Sequence, residues 1–507
     1  GKKKMLCIKL LTQFIFFNII LYISVWYVLT NYYFSYPKDL RWDWKEIYKT
    51  NGGELNAKQI GETIKGLHQQ KHPNGEPFLI GTATASHQIE GHCKPTESNW
   101  CRWEAQGKTQ GLSGAATDAL RQFDDDLPKR MVDDFHFNSY RFSVSWSRIQ
   151  PKGPTYFNET AIEEYVNMVK KLKEKNIEPM LTLLHFDVPV WFEDLGGFEK
   201  DDRNVHHFVN FSIHIFKKMH HLVKKWCTIN EPNINTMAQY EDGIFPPGRN
   251  QEKAGVVLYN TLLGHARVYK ALKKIDATAE IGIVKHIVQL HPHSEYNIAE
   301  QVLAHVGNQI QNRNTMDFLM KGTFKYQLPG KEWTTKTNHE VLNTLDFIGL
   351  NYYSHFHMKL NYAFIMDPTN QQPFELGNLN KYEETHDRTL MNYTVYAEGF
   401  HAALHMLHDD VDSNKIPIYV TENGLSTKSS SMRERHNREY MYAMMRAMQD
   451  GVNIKGYFHW TFIDNFEWVE AWNQFFGLYA LNRDTLERTL KKGAHWFKDF
   501  SRALSNQ

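Results

Sequence analysis

Eight short apolar runs recur between residues 78 and 462, and longer amphipathic segments separate them. The runs are Phe78–Ala85, Ser139–Ser145, Pro179–Leu184, Lys224–Ile229, Glu280–Val288, Asp346–Tyr352, Pro417–Thr421 and Ile454–Phe462. Apolar residues recur at helical spacing in the segments between them, such as 161–175, 205–223, 256–275 and 433–450. Strands of this kind alternating with helices indicate parallel βαβ units. We therefore predict an α/β fold with a single (β/α)8 TIM barrel. A doubly wound open sheet is the alternative, but no Gly-rich dinucleotide turn follows the first run.

Polar and aromatic side chains stand at or just beyond the C-terminal ends of these runs. They are Gln88, His185, Asn230, Glu231, Asn351, Glu422 and Trp460. In a (β/α)8 barrel the active site occupies that face and takes residues from several strands. We therefore expect these side chains to converge at the barrel mouth.

Two glutamates each follow directly on an apolar run. Glu231 lies in the segment TINEPN (228–233) and Glu422 in the segment YVTENG (419–424). A single glutamate there would commonly be a solvated loop residue or a helix cap, whereas a pair suits double displacement at an anomeric carbon. One carboxylate must be ionised to attack, and the other must carry a proton for the leaving oxygen. Retaining glycosidases keep the two about 5–5.5 Å apart, which opposite strands of a barrel mouth allow.

Seven segments, in order along the chain, resemble glycoside hydrolase family 1, the β-glucosidase family. They are FLIGTATASHQIEG (78–91), SYRFSVSWSRI (139–149), TLLHFDVP (182–189), TINEP (228–232), DFIGLNYYS (346–354), YVTENG (419–424) and DNFEW (464–468). The resemblance runs from Phe78 to about Trp496, and the order and spacing of the segments make it specific.

The resemblance implies a role for each residue around the two glutamates. Glu231 would be the general acid/base and Glu422 the nucleophile, while Asn230 would bind the sugar 2-hydroxyl. Arg141 and Tyr353 would contact Glu422. An arginine beside a carboxylate lowers its pKa, so we expect Glu422 to be ionised. The charge of Glu422 should in turn raise the pKa of Glu231 and keep it protonated.

The resemblance also implies a glycone site for a terminal β-D-glycoside. The residues that would bind the sugar are Gln88, His185, Asn230, Trp460, Glu467, Trp468 and Phe476. The phospho-glycoside branch of the family replaces the Glu467-Trp468 pair, and a carboxylate there would repel a phosphate dianion. We therefore expect an unphosphorylated sugar, with glucose first and galactose or fucose as side activities.

Several positions depart from the family pattern. Tyr393 stands where the family has a tryptophan platform, and it adjoins an N-glycosylation sequon at Asn392. Phe186 and the pair Ala471-Trp472 also differ from the usual residues. The chemistry is unaffected by these changes, but the aglycone preference cannot be carried over.

Two other functions remain open. A transglycosylase would use the same carboxylates and pass the sugar to an acceptor hydroxyl, which a membrane-bound lipid could supply. A catalytically silent, klotho-like receptor module would lack one or both carboxylates, and both are present. The formal net charge of +1, without a basic block, argues against a nucleic-acid partner. No metal or organic cofactor is implied.

The N-terminus carries a second signal. Four lysines (Lys2, Lys3, Lys4 and Lys9) precede an uncharged run over 10–28, and apolar residues continue to Tyr36. That length suits a membrane span of about 20 residues, and we expect an uncleaved signal anchor; a cleaved signal peptide is the alternative. We divide the chain into the basic region and anchor (1–36), a linker or lead-in (37–77) and the glycosidase domain (78–507).

Two further features suit a lumenal or extracellular location. Sequons occur at Asn158, Asn210 and Asn392, although some arise by chance. Cys93 and Cys101 are close enough in sequence to pair in an oxidising compartment. We therefore expect a catalytic domain outside the cytosol, either anchored or secreted after cleavage.

Overall fold

The computed structural model of the protein describes residues 18–24, 40–200, 202–248, 250–326, 334–361, 374–377 and 388–505. The chain divides into two compact units. One comprises Gly1–Asp39, Gln289–Ile310 and His355–Thr385, and the other Leu40–Val288, Gln311–Ser354 and His386–Gln507. The barrel and the side chains of Glu231 and Glu422 belong to the second unit.

Eight parallel strands of the second unit form a closed barrel. They are β1 (Leu79–Ala83), β2 (Ser139–Ser143), β3 (Glu178–Leu184), β4 (Lys225–Asn230), β5 (Glu280–His286), β9 (Phe347–Asn351), β12 (Ile418–Asn423) and β13 (Ile454–Trp460). Neighbouring strands follow the order of the chain, and β13 closes the ring on β1 through pairs such as Leu79 with Gly456. Each strand coincides with one of the eight apolar runs, so the predicted TIM barrel is confirmed.

Seven short strands form smaller sheets. They are β6 (Gln289–Pro292), β7 (Thr323–Tyr326), β8 (Thr334–Thr337), β10 (His355–Leu360), β11 (Phe374–Gly377), β14 (Tyr479–Leu481) and β15 (Arg488–Leu490). In the first unit, β10 pairs in parallel with β6 and antiparallel with β11. In the second, β7 with β8 and β14 with β15 make two antiparallel ribbons.

Helices separate the strands. The α-helices are α1 (Trp44–Thr50), α2 (Ala57–Lys71), α3 (Ser86–Glu90), α4 (Asn99–Ala105), α5 (Ala119–Asp126), α6 (Trp146–Ile149), α7 (Glu159–Glu174), α8 (Val190–Asp194), α9 (Asp202–Met219), α10 (Pro232–Thr236), α11 (Ala254–Ile275), α12 (Ile298–Asn308), α13 (Asn314–Lys321), α14 (Ala397–Val411), α15 (Ser430–Gln449) and α16 (His495–Ser505). Residues 18–24 are also helical. Segments of π-helix cover Leu127–Asp134, Met237–Glu241 and Gln309–Arg313.

The helix boundaries follow ordinary capping chemistry. The side chain of Asn158 accepts a hydrogen bond from the amide of Ala161 at 3.3 Å and begins α7. Ser429 does the same for α15 through the amide of Met432, also at 3.3 Å. Such caps satisfy amides that the first helical turn leaves without a partner.

Large side chains fill the barrel interior. Seven of the strands each contribute a buried side chain to one hydrophobic cluster: Leu79, Met180, Cys227, Val284, Phe347, Tyr419 and Phe458. Packing of this kind makes a TIM barrel a solid core rather than a pore. The chemistry is therefore confined to the mouth, above this layer.

The predicted lead-in over residues 37–77 contains two helices, α1 and α2. Gly61 of α2 allows close packing on α16, because a Cβ there would lie 3.0 Å from Cβ of Ala503 and 3.1 Å from the carbonyl oxygen of Phe500. Trp496 of α16 also donates its indole N–H to the carbonyl oxygen of Leu55 at 2.8 Å. The C-terminal helix thus holds the lead-in against the rest of this unit.

The predicted signal anchor receives no support from the structure. Among the described residues, none of the helices combines the length and apolar character that a membrane span requires. Of the predicted anchor, residues 18–24 form an exposed helical segment, and the remainder lies outside the described residues. The anchor stays a prediction from sequence.

Candidate active site

Glu422 lies at the C-terminal end of β12, and two buried donors hold its carboxylate. Arg141 of β2 donates from Nη1 to Oε1 at 2.6 Å, and the hydroxyl of Tyr353 donates to Oε2 at 2.7 Å. Arg141 is 1% exposed, so this ion pair is shielded from water. Both contacts are those that the resemblance implied, and together they fix both oxygens of the carboxylate.

Glu231 follows β4 directly, and its backbone is in the left-handed region with φ of +44°. Strain of this kind costs energy and persists where the surrounding structure enforces it, commonly at functional sites. Its Oε1 accepts a hydrogen bond from Nδ2 of Asn351 at 2.6 Å, and Nδ1 of His286 lies 3.5 Å from the same oxygen. The side chain is therefore held from β9 and β5 as well as by its own strand.

A hydrogen-bond network joins the two glutamates. Nη2 of Arg141 donates to Oδ1 of Asn230 at 2.7 Å, and Nδ2 of Asn351 reaches the same oxygen at 3.2 Å. Asn351 is itself oriented by Thr421, whose hydroxyl donates to its Oδ1 at 2.7 Å. Because Arg141 contacts Glu422 and Asn351 contacts Glu231, Asn230 connects the donors of the two carboxylates.

The pKa order of the two glutamates is the reverse of the expected one. Burial raises the pKa of Glu422 to about 7, although Arg141 and Tyr353 oppose the shift. Burial also favours the protonated form of Glu231, but His286 and the amide of Asn351 outweigh it and lower its pKa. The expectation considered Arg141 alone and omitted the cost of removing Glu422 from water. Because the two charges repel each other, the carboxylates titrate as a pair.

The predicted glycone residues lie around this pair. Gln88 donates from Nε2 to Oε2 of Glu467 at 2.9 Å, and Asn230 contacts Nε2 of His185 at 3.1 Å. Burial and the charge of Arg141 hold the pKa of His185 well below its usual range, so its imidazole is neutral. Oε1 of Gln88 and Nδ1 of His185 are buried without a hydrogen-bond partner in the described part of the chain. Buried polar atoms are rarely left so, and sugar hydroxyls would satisfy both.

Aromatic rings surround the same residues. The ring of His185 stacks on those of Trp460 and Trp468, with centroids 5.9 and 6.0 Å apart. Phe476 meets the Tyr353 ring edge-on at 6.0 Å. Flat apolar faces beside hydrogen-bonding groups are what a pyranose ring requires, because one side of a sugar is apolar and its edge carries hydroxyls.

Tyr393, the predicted aglycone platform, lies close to this cluster. Burial is the main cause of the raised pKa of its phenol, and the nearby carboxylates of Glu467 and Glu231 raise that pKa further. Asn392 beside it is exposed, so the sequon there is accessible. A glycan at that position would therefore stand next to Tyr393.

Cys93 and Cys101 form a disulfide, with their Cα atoms 6.1 Å apart. The pairing that the sequence left open is thus present. The loop that it closes leads into α4, whose buried Trp100 packs against Trp468 with centroids 4.7 Å apart. The disulfide consequently borders the glycone residues.

Sequence reasoning missed the roles of Asn351 and His286. Asn351 was recognised only as a polar residue at a strand end, since nothing in the sequence relates it to a residue 120 positions earlier. His286 is the last residue of β5, but the apolar run had been extended to Val288 and concealed it. Placing that strand end two residues earlier would have revealed it.

A closed (β/α)8 barrel with two buried glutamates at its mouth, beside aromatic rings and unpaired polar atoms, is the arrangement expected of a glycoside-cleaving enzyme. Residues 68–505 match the model of glycosyl hydrolase family 1. The chain belongs to glycosyl hydrolase family 1 and is an O-glycosyl hydrolase. The resemblance identified from the sequence motifs is confirmed.

The matches with individual relatives extend over nearly the whole length of those proteins. A β-glucosidase A of Acetivibrio thermocellus is 31% identical over 449 residues, which is 83% of this chain and 96% of that protein. A 6-phospho-β-galactosidase of Clostridium acetobutylicum is 28% identical over 469 residues, covering 84% and 96%. Among solved structures, a β-glycosidase from Pyrococcus horikoshii superposes with a TM-score of 0.72 at 29% identity, covering 84% of this chain and 94% of that one.

Proposed function

We propose that this enzyme is a retaining β-glycosidase that hydrolyses terminal, unphosphorylated β-D-glycosides, with β-glucosides as the first choice. Glu422 is the nucleophile and Glu231 the general acid/base. The observation that carries this assignment is that different hydrogen-bond donors hold the two carboxylates. Arg141 and Tyr353 hold both oxygens of Glu422, whereas Glu231 receives an amide N–H from Asn351.

The reaction has two steps. In the first, a carboxylate oxygen of Glu422 bonds to the anomeric carbon while the glycosidic bond breaks, and Glu231 gives its proton to the leaving oxygen. In the second, Glu231 takes a proton from water, whose oxygen bonds to the anomeric carbon and releases Glu422. Asn230 lies against Arg141 at 2.7 Å, where its amide can bind the sugar 2-hydroxyl as positive charge develops on the ring.

The pair must hold one proton for this cycle, and the reactive form carries it on Glu231. A glycosidic oxygen beside Glu231 accepts that proton in a hydrogen bond and favours this form. Burial raises the pKa of Glu422 to about 7, so below that pH the pair keeps one proton and can adopt this form. Once the sugar is bound to Glu422, its negative charge is gone and Glu231 can act as a base.

The charge around Glu467 supports an unphosphorylated sugar. Its neighbours include Gln88 and the carboxylates of Glu422, Glu231 and Glu470, and burial raises its pKa to about 8. Among the described residues, neither lysine nor arginine pairs with Glu467. A phosphate dianion there would find no compensating cation, and burial keeps Glu467 itself uncharged at neutral pH. The phospho-glycosidase relatives make this choice worth testing directly, with glucoside and 6-phosphoglycoside substrates side by side.

Azide rescue distinguishes the two glutamates. In E422G, azide should attack the sugar directly and give the α-glycosyl azide, whereas in E231A it should displace Glu422 from the glycosyl-enzyme and give the β-glycosyl azide. D484N, a change on an exposed turn, serves as the control and should keep full activity. Rescue with the opposite stereochemistry would reverse the two assignments, and a wild-type chain without glycoside turnover would favour the silent, klotho-like alternative.

Transglycosylation is a second candidate, since an acceptor hydroxyl can replace water in the second step. The predicted anchor motivates it, because a membrane-bound enzyme would meet glycolipids such as glucosylceramide. We propose, on the same ground, that the catalytic domain lies outside the cytosol. Turnover of soluble aryl glucosides without turnover of glycolipids in vesicles would remove the lipid proposal. Protease accessibility of the catalytic domain in intact vesicles would test the topology.

A further inference from the structure

Three side chains of the kinds that bind metal ions lie close together on the outer helices of the barrel unit. His401 and His405 lie one turn apart on α14, and Asp450 directly follows α15. Nε2 of His401 is 2.9 Å and Nε2 of His405 is 3.2 Å from the same carboxylate oxygen, Oδ2 of Asp450. The three ligand atoms lie within 4.8 Å of one another. The catalytic side chains stand at strand ends, so this group has no part in the chemistry proposed above.

We propose that His401, His405 and Asp450 form a binding site for a divalent transition metal ion, zinc first. Two imidazoles and a carboxylate are donors that zinc accepts, with water as a fourth ligand. Bonds of about 2.0–2.2 Å in a tetrahedron place neighbouring donor atoms about 3.3 Å apart. The two observed nitrogen–oxygen separations are within a few tenths of an ångström of that edge, so small side-chain rotations admit the ion.

The scaffold fixes two of the three ligands. Residues four positions apart on a helix face the same side, which is the spacing of the two histidines. The ring of Trp42 meets the His401 ring edge-on at 5.2 Å and limits its rotation. The backbone amide of Trp42 in turn donates to Glu398 of α14 at 3.1 Å.

A bound ion would join three parts of the fold. It would connect α14, the turn after α15 and, through Trp42 and His401, the lead-in segment before α1. A second group of side chains that could bind a metal ion consists of His87, Cys93, Cys101 and Glu104. It is not proposed as a site, because its two sulfurs form the disulfide. The expected effect of the ion is on stability, with hydrolysis of glycosides unchanged.

Hydrogen bonding alone is the competing explanation, since Asp450 can accept N–H groups from both imidazoles without an ion. Zinc titration of the chelator-treated full chain separates the two. We expect one zinc ion per chain, by elemental analysis after dialysis, and a Kd in the low micromolar range or tighter from competition with a chromophoric chelator. At 100 times the Kd, zinc should raise Tm by about 2–3 °C.

Variants of the more exposed ligands provide the test, because His401 also packs on Trp42. H405Q and D450N should each weaken zinc binding at least tenfold and abolish the Tm shift, with kcat/KM within twofold of the wild type. H214A is the matched control, as His214 pairs with the single carboxylate of Glu159 at 3.3 Å on another face. A wild-type chain that binds less than a tenth of an ion, or H405Q and D450N chains that bind zinc as tightly as H214A, would overturn the proposal.

Discussion

The amide nitrogen of Asn351, at the end of β9, donates a hydrogen bond of 2.6 Å to Oε1 of Glu231 at the end of β4. Removing this donor should raise the pKa of Glu231 and leave its side chain less well positioned. We expect N351A to lower kcat about 10- to 100-fold on substrates with poor leaving groups. The loss should be much smaller for a dinitrophenyl glycoside, which needs little protonation. Equal losses on both substrates would contradict a role through Glu231.

Arg141 pairs with Glu422 where both are buried, so its loss should affect activity and stability together. R141M should lower kcat/KM by about 10²–10³-fold, because the nucleophile loses its cation and its geometry. Leaving a buried carboxylate unpaired costs about 3–5 kcal/mol of stability. Thermal unfolding should show the double variant R141M/E422Q to be more stable than R141M alone. An R141M enzyme with more than a tenth of the wild-type kcat/KM would count against the arrangement.

Tyr353 gives a prediction for the pH profile. Its hydroxyl lowers the pKa of Glu422 by donating to the ionised form, while burial raises that pKa to about 7. Y353F removes the donor, so the pKa of Glu422 should rise further. Because the pair loses its single proton at that pKa, the basic limb of the kcat/KM profile should move to higher pH. A basic limb that stays in place, or moves to lower pH, would mean that another group controls it.

Glu467 should weaken the fold at neutral pH. Its pKa is raised by burial to about 8, so the folded protein keeps it protonated while the unfolded chain ionises it above about pH 4.5. Stability is therefore lost as the pH rises between those two values. We expect E467Q to unfold about 2 °C above the wild type at pH 7, with the gain disappearing near pH 4. The same variant should bind the glycone less well, raising KM.

Tyr393 should affect the aglycone alone. We expect Y393A to raise KM for aryl glucosides about tenfold, because a stacking surface is lost. KM and kcat for a glycosyl fluoride, whose leaving group has no ring, should stay within twofold. N392Q, which removes the sequon without touching the phenol, serves as the control. A similar loss on both substrates would place Tyr393 in the glycone site instead.

The barrel could be predicted from the sequence because buried parallel strands leave continuous apolar runs, and chain order fixes which strands are neighbours. The positions of Glu231 and Glu422 could be predicted for the same reason, as residues at the C-terminal ends of strands. The contact from Asn351 to Glu231 could not, because it depends on side-chain direction across the barrel mouth. The pKa order could not either, since the degree of burial of Glu422 is a property of the packed structure. The interpretation of the N-terminal run 10–28 as an anchor still rests on the sequence alone.

The central claim is that Glu422 attacks the sugar and is then displaced by water, so the configuration is inverted twice. Proton NMR during the hydrolysis of an aryl β-glucoside, recorded before mutarotation, measures this directly. The account predicts that the β-anomer of the free sugar appears first and the α-anomer only later, by mutarotation. The α-anomer as the first product would contradict double displacement and the roles of both glutamates.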